Sequence, residues 1–207
     1  MASFEKGAFQ MKMIALDLSA IVGYAFGDPF KNDVPFSGTI KLSGDNPTDR
    51  CYNLFSWCID IFKSNEVTDV VVELPFIPKG PTSFGANVSL IGYVLAAGMA
   101  AKACRANSTG VHQQTWRSQF GVPSQGPKNV LTHPDYQHLA DRKDGLKAAK
   151  RLWVKDRTKD AVRLRGSNPK DDNEADACAI FYWKMDRLRK QLETIGTRKD
   201  LFDGIEV

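Results

Sequence analysis

The sequence predicts an α/β fold: a five-stranded mixed sheet with helices on both faces. Three observations lead there. Strand-like segments occupy residues 12–43 before any helical one begins, which suits an antiparallel start. Strand-like and helical segments then alternate to about residue 113, the pattern of parallel strands joined by crossovers. Residues 68–74 read Thr-Asp-Val-Val-Val-Glu-Leu, an apolar run of the kind buried on both faces of a sheet. The first three strands are therefore expected antiparallel and the rest parallel. A chain of 207 residues can bury one full core, so a single domain over 1–207 is expected, with loose termini at 1–10 and about 196–207.

The elements follow in order. Residues 12–19 read as a buried strand and 22–28 as its hairpin partner. Asp28-Pro29 and Asn32-Asp33 mark turns, and 36–43 alternates as a third strand. Asn46-Pro47 opens a helix, with Asn46 as cap and Pro47 in the first turn. Cys51, Leu54, Phe55, Cys58, Ile61 and Phe62 keep helical spacing behind it. After the fourth strand comes a Pro- and Gly-rich loop, 75–86. A helix at 87–106 is crowded with small residues, and a short strand at 109–113 leads into a helical turn at 115–120. The polar stretch 121–138 is expected to be mobile. A basic amphipathic helix at 143–158 is expected to turn Leu146, Ala149, Leu152 and Trp153 inward. The last helix spans about 173–192.

Composition limits the function classes. No apolar run reaches the roughly 18 residues of a membrane span, and no secretory leader is visible, so a cytoplasmic protein is expected. Cys51, Cys58, Cys104 and Cys178 form no CxxC pair and read as buried reduced thiols. The net charge of +4 is uneven. Between Arg117 and Lys170 there are 13 Lys and Arg against 5 Asp and Glu, while the rest of the chain is acidic. Such a basic segment suits a polyanion.

The acids are the sharper signal. Asp17 ends the first strand, in Ile14-Ala15-Leu16-Asp17-Leu18-Ser19, and Glu73 ends the fourth. The last helix opens on Asp171-Asp172-Asn173-Glu174-Ala175-Asp176, a cluster that repels itself unless a cation sits on it. Strands ending in acids, facing an acidic helix start, suggest a carboxylate Mg²⁺ site.

These pieces, with Gly23-Tyr24-Ala25 beyond the first strand, carry a resemblance. In order and spacing over roughly residues 12–185 the chain resembles RuvC-like Holliday junction resolvases, particularly the phage-type branch, of the RNase H-like superfamily. The resemblance implies two Mg²⁺ ions, with Mn²⁺ a substitute, held by Asp17, Glu73 and Asp176. For a fourth ligand the family commonly has Asp three residues before the helix Asp; here that residue is Asn173. Asp172, four residues before Asp176, is the favoured fourth ligand, and could equally be the helix N-cap. Glu174 is expected to face solvent.

The resemblance also implies that Phe76 stacks on bases at the junction, with Phe84 a weaker candidate. It implies a lysine beside the scissile phosphate, and Lys147 matches best. Lys143, Lys150, Arg151, Lys155, Arg157 and Arg117 are candidate phosphate contacts. Trp116 is expected in the core, and His112 as a structural residue near the site. His133 and His138 show no ligand spacing. The small-residue helix 87–106 permits close backbone approach, most often for tight packing on a sheet; the resemblance implies that it pairs two subunits, which suits the two-fold symmetry of a four-way junction. The implied activity is metal-dependent, symmetric hydrolysis of branched DNA. The rivals are a related nuclease for hybrid, flap or duplex substrates, and a non-catalytic branched-DNA binder.

Overall fold

The computed structural model describes residues 11–31, 34–75 and 84–202. Five strands, β1 (Met13–Asp17), β2 (Ile21–Gly27), β3 (Phe36–Lys41), β4 (Asp69–Leu74) and β5 (Asn107–His112), form one sheet in the order β3-β2-β1-β4-β5. β1 pairs antiparallel with β2, and β2 with β3. β4 runs parallel to β1 and to β5. This is the expected mixed sheet.

Side-chain alternation along the strands sorts the core into two layers. Ile14 and Leu16 of β1, with Val70 and Val72 of β4, face helices α1 (Pro47–Ser64) and α2 (Phe84–Ala103). Leu54, Cys58 and Phe62 of α1 and Ala97, Ala100 and Ala101 of α2 complete that layer. Met13, Ala15 and Val71 point the other way, onto α5 (Asp172–Phe202), where Ile180 and Phe181 meet them. Two further helices lie between β5 and α5 in sequence: α3 (Gln113–Gln119) and α4 (Gly145–Arg163). α4 packs on α5.

The local chemistry explains several boundaries. Asn46 caps α1 as expected, its side chain accepting from the Asp49 N–H at 2.9 Å, with Pro47 following. The small residues of α2 let it lie close on α1; a Cβ on Gly92 would come within 2.8 Å of Cys51 Sγ. All four cysteines are free thiols. Among the described residues no helix is long and apolar enough to cross a membrane.

Three expectations are corrected. α4 does not bury Leu146 or Leu152, which are 44% and 39% exposed; its inward line is Gly145, Ala149, Val154, Thr158 and Val162. Small and β-branched residues bring α4 close to its neighbours, and the leucines fall to the side. The stretch 121–138 is not a structureless loop. It forms two short 3₁₀ turns whose Val130, Tyr136 and Leu139 are buried against Ala149. These apolar residues are too unevenly spaced to show either regular period. Finally, α5 continues to Phe202, past the expected end at about 192.

One contact fixes the position of α5. Gly23, opposite Asp17 in the β1–β2 ladder, lies so close to the start of α5 that a Cβ there would stand 1.9 Å from the Asn173 carbonyl oxygen. Only glycine permits that approach. Gly23→Ala should therefore lower the unfolding free energy by about 2 kcal/mol, read from urea denaturation, because main chain rather than a flexible side chain must move. An unchanged midpoint would mean that α5 yields freely at its start.

Candidate active site

Sheet parity and the crossing of α5 build the site. Asp17 shares a strand face with Met13 and Ala15, the face that α5 covers. Leu16 pairs with Val72 in the parallel β1–β4 ladder, so Asp17 and Glu73 stand side by side one step on, both facing α5. Asp176 comes down from the second turn of α5. The three acids feel one another. Burial, then the charges of Asp176 and Glu73, push Asp17 well above its ordinary value. Burial and Asp176 push Glu73 up to about 7, against hydrogen bonds from Trp116 and Gln113 and the charge of Arg117. Burial raises Asp176 to about 6, opposed chiefly by Arg117.

The other acids of the helix start do different work. The Asp171 carboxylate accepts from the Glu174 N–H at 2.9 Å, so Asp171, not Asp172, caps α5, and it also accepts from Thr39 Oγ1 at 3.2 Å. Glu174 does not face solvent: it is 4% exposed, and accepts from Ser37 Oγ at 2.7 Å and the Lys170 N–H at 2.8 Å. Both residues tie the helix start to β3. Asp172, the expected fourth ligand, gives its carboxylate to two lysines of α4: Lys159 Nζ at 2.6 Å and Lys155 Nζ. Burial alone would raise Asp172, but these two partners hold it below the ordinary range.

The hard oxygen donors Asp17, Glu73 and Asp176 suit Mg²⁺ or Mn²⁺ chemically, and their mutual repulsion is what a bound cation relieves. As the side chains stand, however, no three acidic, His or Cys groups among the described residues gather tightly enough to hold one ion. Glu73 is drawn toward Trp116, whose Nε1–H donates to Oε2 at 3.0 Å, and Asp176 toward Arg117, with Nη2 3.8 Å from Oδ2. Side-chain rotation would have to close the set.

A groove of about 850 Å³ leads to Asp176. Lys143, Lys147, Lys150, Arg151 and Lys155 line it, together with Arg117 from α3. Five of the six candidate phosphate contacts thus meet in one place, with Lys147 beside them. Arg157 does not line it and lies over the Trp153 ring. Phe76 and the side chain of Phe84 fall outside the described residues.

Some residues differ from expectation. His112 is exposed, and its parity on β5 opposes that of Val111, the partner of Glu73. His133 stands beside Asp135 and accepts from its N–H at the start of a 3₁₀ turn. Trp116 is fully buried, as expected, but it also holds Glu73. Gln113, the second partner of Glu73, carried no sequence signal; only the turn from β5 into α3 brings it there.

No family model matches the chain, and no curated protein matches it by sequence. Solved structures do. Thermus thermophilus RuvC in complex with a Holliday junction substrate is 14% identical over 84% of this chain and 91% of its own, with a TM-score of 0.54. A second Thermus thermophilus RuvC structure is 16% identical over 85% and 97%, at 0.51. The yeast mitochondrial Holliday junction resolvase Ydc2 is 13% identical over 93% and 86%, at 0.53. The chain has the RuvC-type RNase H-like fold. In this RuvC-type fold, the three acids sit on the face of the central strands that the last helix covers.

The raised acids set a pH dependence. In the folded chain Glu73 titrates at about 7 instead of 4.5, and Asp176 at about 6 instead of 3.8. The folded state therefore binds more protons than the unfolded across that window, and these groups reduce stability as pH rises through it. Asp17→Asn removes one repelling charge. With chelator present, it should raise stability by about 1–2 kcal/mol at about pH 8, the gain fading toward about pH 4. No gain at the higher pH would mean that neighbouring cations already balance the cluster.

Proposed function

We propose that the chain is a divalent-metal-dependent endonuclease that resolves four-way or otherwise branched DNA. The observation that carries this reading is the basic groove that reaches Asp176, one of three mutually repelling carboxylates. A groove lined by cations suits a phosphate backbone, and an acid cluster reached through Asp176 suits hydrolysis of one phosphodiester. The RuvC-type fold, shared with a protein solved on a Holliday junction substrate, points to branched DNA as the class of substrate.

Each residue has a part. Asp17, Glu73 and Asp176 would hold Mg²⁺ or Mn²⁺, with Asn173 too neutral to replace a fourth acid. When bound, two such ions supply an activated water and a stabilised leaving oxygen. Trp116 and Gln113 orient Glu73. Lys143, Lys147, Lys150 and Arg151 position the backbone and carry no sequence information. Lys147 is the residue assigned to the scissile phosphate. The wedge role of Phe76 rests on resemblance alone.

A homodimer through α2 belongs to the same reading. Val88, Ile91, Leu95 and Met99 form one stripe along α2 and are 48%, 39%, 60% and 62% exposed. The spacing places them on one helix face, opposite the small residues packed on α1. A second copy meeting this stripe would give the two symmetric sites that paired cuts require.

The direct test is cleavage of a synthetic mobile four-way junction beside linear duplex and RNA–DNA hybrid. Paired nicks with Mg²⁺, none with chelator, and a loss of at least about 100-fold in Asp17→Asn are expected. Preferential cutting of hybrid or duplex would overturn the branched-DNA assignment. Junction binding without cutting under either metal would overturn the nuclease. For the dimer, Leu95→Asp with Met99→Asp should halve the mass measured by light scattering; an unchanged mass would remove α2 from the interface.

A further inference from the structure

Arg117 is anomalous among the charged residues. Its side chain is only 12% exposed. Its Nε is buried without a hydrogen-bond partner. Its nearest carboxylate oxygen, Asp176 Oδ2, is 3.8 Å from Nη2, an ion pair but too long for a hydrogen bond. The guanidinium lies over the Trp116 ring, 5.1 Å from its centre. A buried cation with so few partners costs stability unless something else in the site needs its charge.

The acid cluster needs it. The charge of Arg117 acts on Asp17, Glu73 and Asp176, in each case favouring the ionised form. α3 contacts two members of the cluster. Gln113 and Trp116 hold Glu73, while the next residue, Arg117, leans on Asp176. The two acids are thus drawn to α3, and among the described residues no three acids are gathered around one point.

We propose that Arg117 is the resident counter-cation of the acid cluster and competes with the divalent cation for it. The inference rests on the metal-site reading above. Without metal, Arg117 keeps the carboxylates folded next to one another. As metal binds, the guanidinium must give up its hold on Asp176, so its charge weakens metal affinity. The unmet Nε is the mark of a group placed for a second arrangement.

The test needs no DNA. Mn²⁺ binding to the full chain is measured by calorimetry and by the metal-dependent rise in melting temperature, for wild type, Arg117→Lys and Arg117→Gln. Arg117→Gln should melt lower than wild type with chelator and bind Mn²⁺ about tenfold more tightly. Arg117→Lys, which keeps the charge, should stay close to wild type. Equal or weaker Mn²⁺ binding by a folded Arg117→Gln chain would overturn the role of Arg117 and leave the metal site standing. Absence of Mn²⁺ binding in every chain would overturn both. Should Arg117→Gln fail to fold, the wild-type chain decides. Its Arg117 side-chain nitrogen resonance should shift during a Mg²⁺ titration with the midpoint of the melting-temperature rise; a resonance that does not move overturns the proposal.

Discussion

The main chain of α5 touches the sheet at Gly23, and the rest of the site depends on that contact. A Cβ at this position would lie 1.9 Å from the Asn173 carbonyl oxygen, so the strand must present bare backbone there. The approach brings the start of α5 over the ends of β1 and β4, and Asp176 over Asp17 and Glu73. It is reinforced at the sheet edge. Asp171 and Glu174, two acids of the helix start, bind the hydroxyls of Thr39 and Ser37 on β3. Beyond the first turns, the run from Ala177 to Tyr182 is buried and belongs to one core with Met13, Ala15 and Val71 of the sheet. Packing of the core and placement of the acids are thus one event.

That placement forces an electrostatic problem and divides its solution among neighbours. Three carboxylates near one another in a partly buried site raise one another's proton affinity. The surrounding cations are not shared equally. Lys155 and Lys159 bind Asp172 closely, while Arg117 meets Asp176 only at a distance. Asp172 therefore links α4 to α5 and holds Lys155 beside the mouth of the site. The central cluster is left undercompensated, which stability alone would not favour and which binding a hard cation would relieve. A site strained in this sense is a functional hypothesis with a physical cause.

Much of this was legible in the sequence, and the exceptions have reasons. Asp17 and Glu73 could be read because each ends an apolar strand, and period-two alternation fixes which face an end residue shares with its strand. Asp176 could be read because it lies within an apolar helical run. The roles of Asp171, Asp172 and Glu174 could not be separated from sequence. Four acids within six residues look alike until the partners on β3 and α4 are known, and those partners lie up to 137 residues away. Gln113 and Trp116 were obscure for a similar reason: their contact with Glu73 exists only because β5 turns directly into α3. The buried stretch 130–139 was missed because its apolar residues follow no regular period and find their partner, Ala149, in a later helix.

The two faces of the sheet also separate two tasks. α1 and α2 cover one layer, and α2 closes it with Tyr93 and alanines while sending Val88, Ile91, Leu95 and Met99 outward. α5, with α4 packed on it, covers the other layer, the side of the sheet that holds the acids and the basic groove. A stripe on the first face can be covered by another copy without closing the groove on the second. The small residues of α2 thus allow close packing within the chain and leave this stripe of large apolar side chains at the surface.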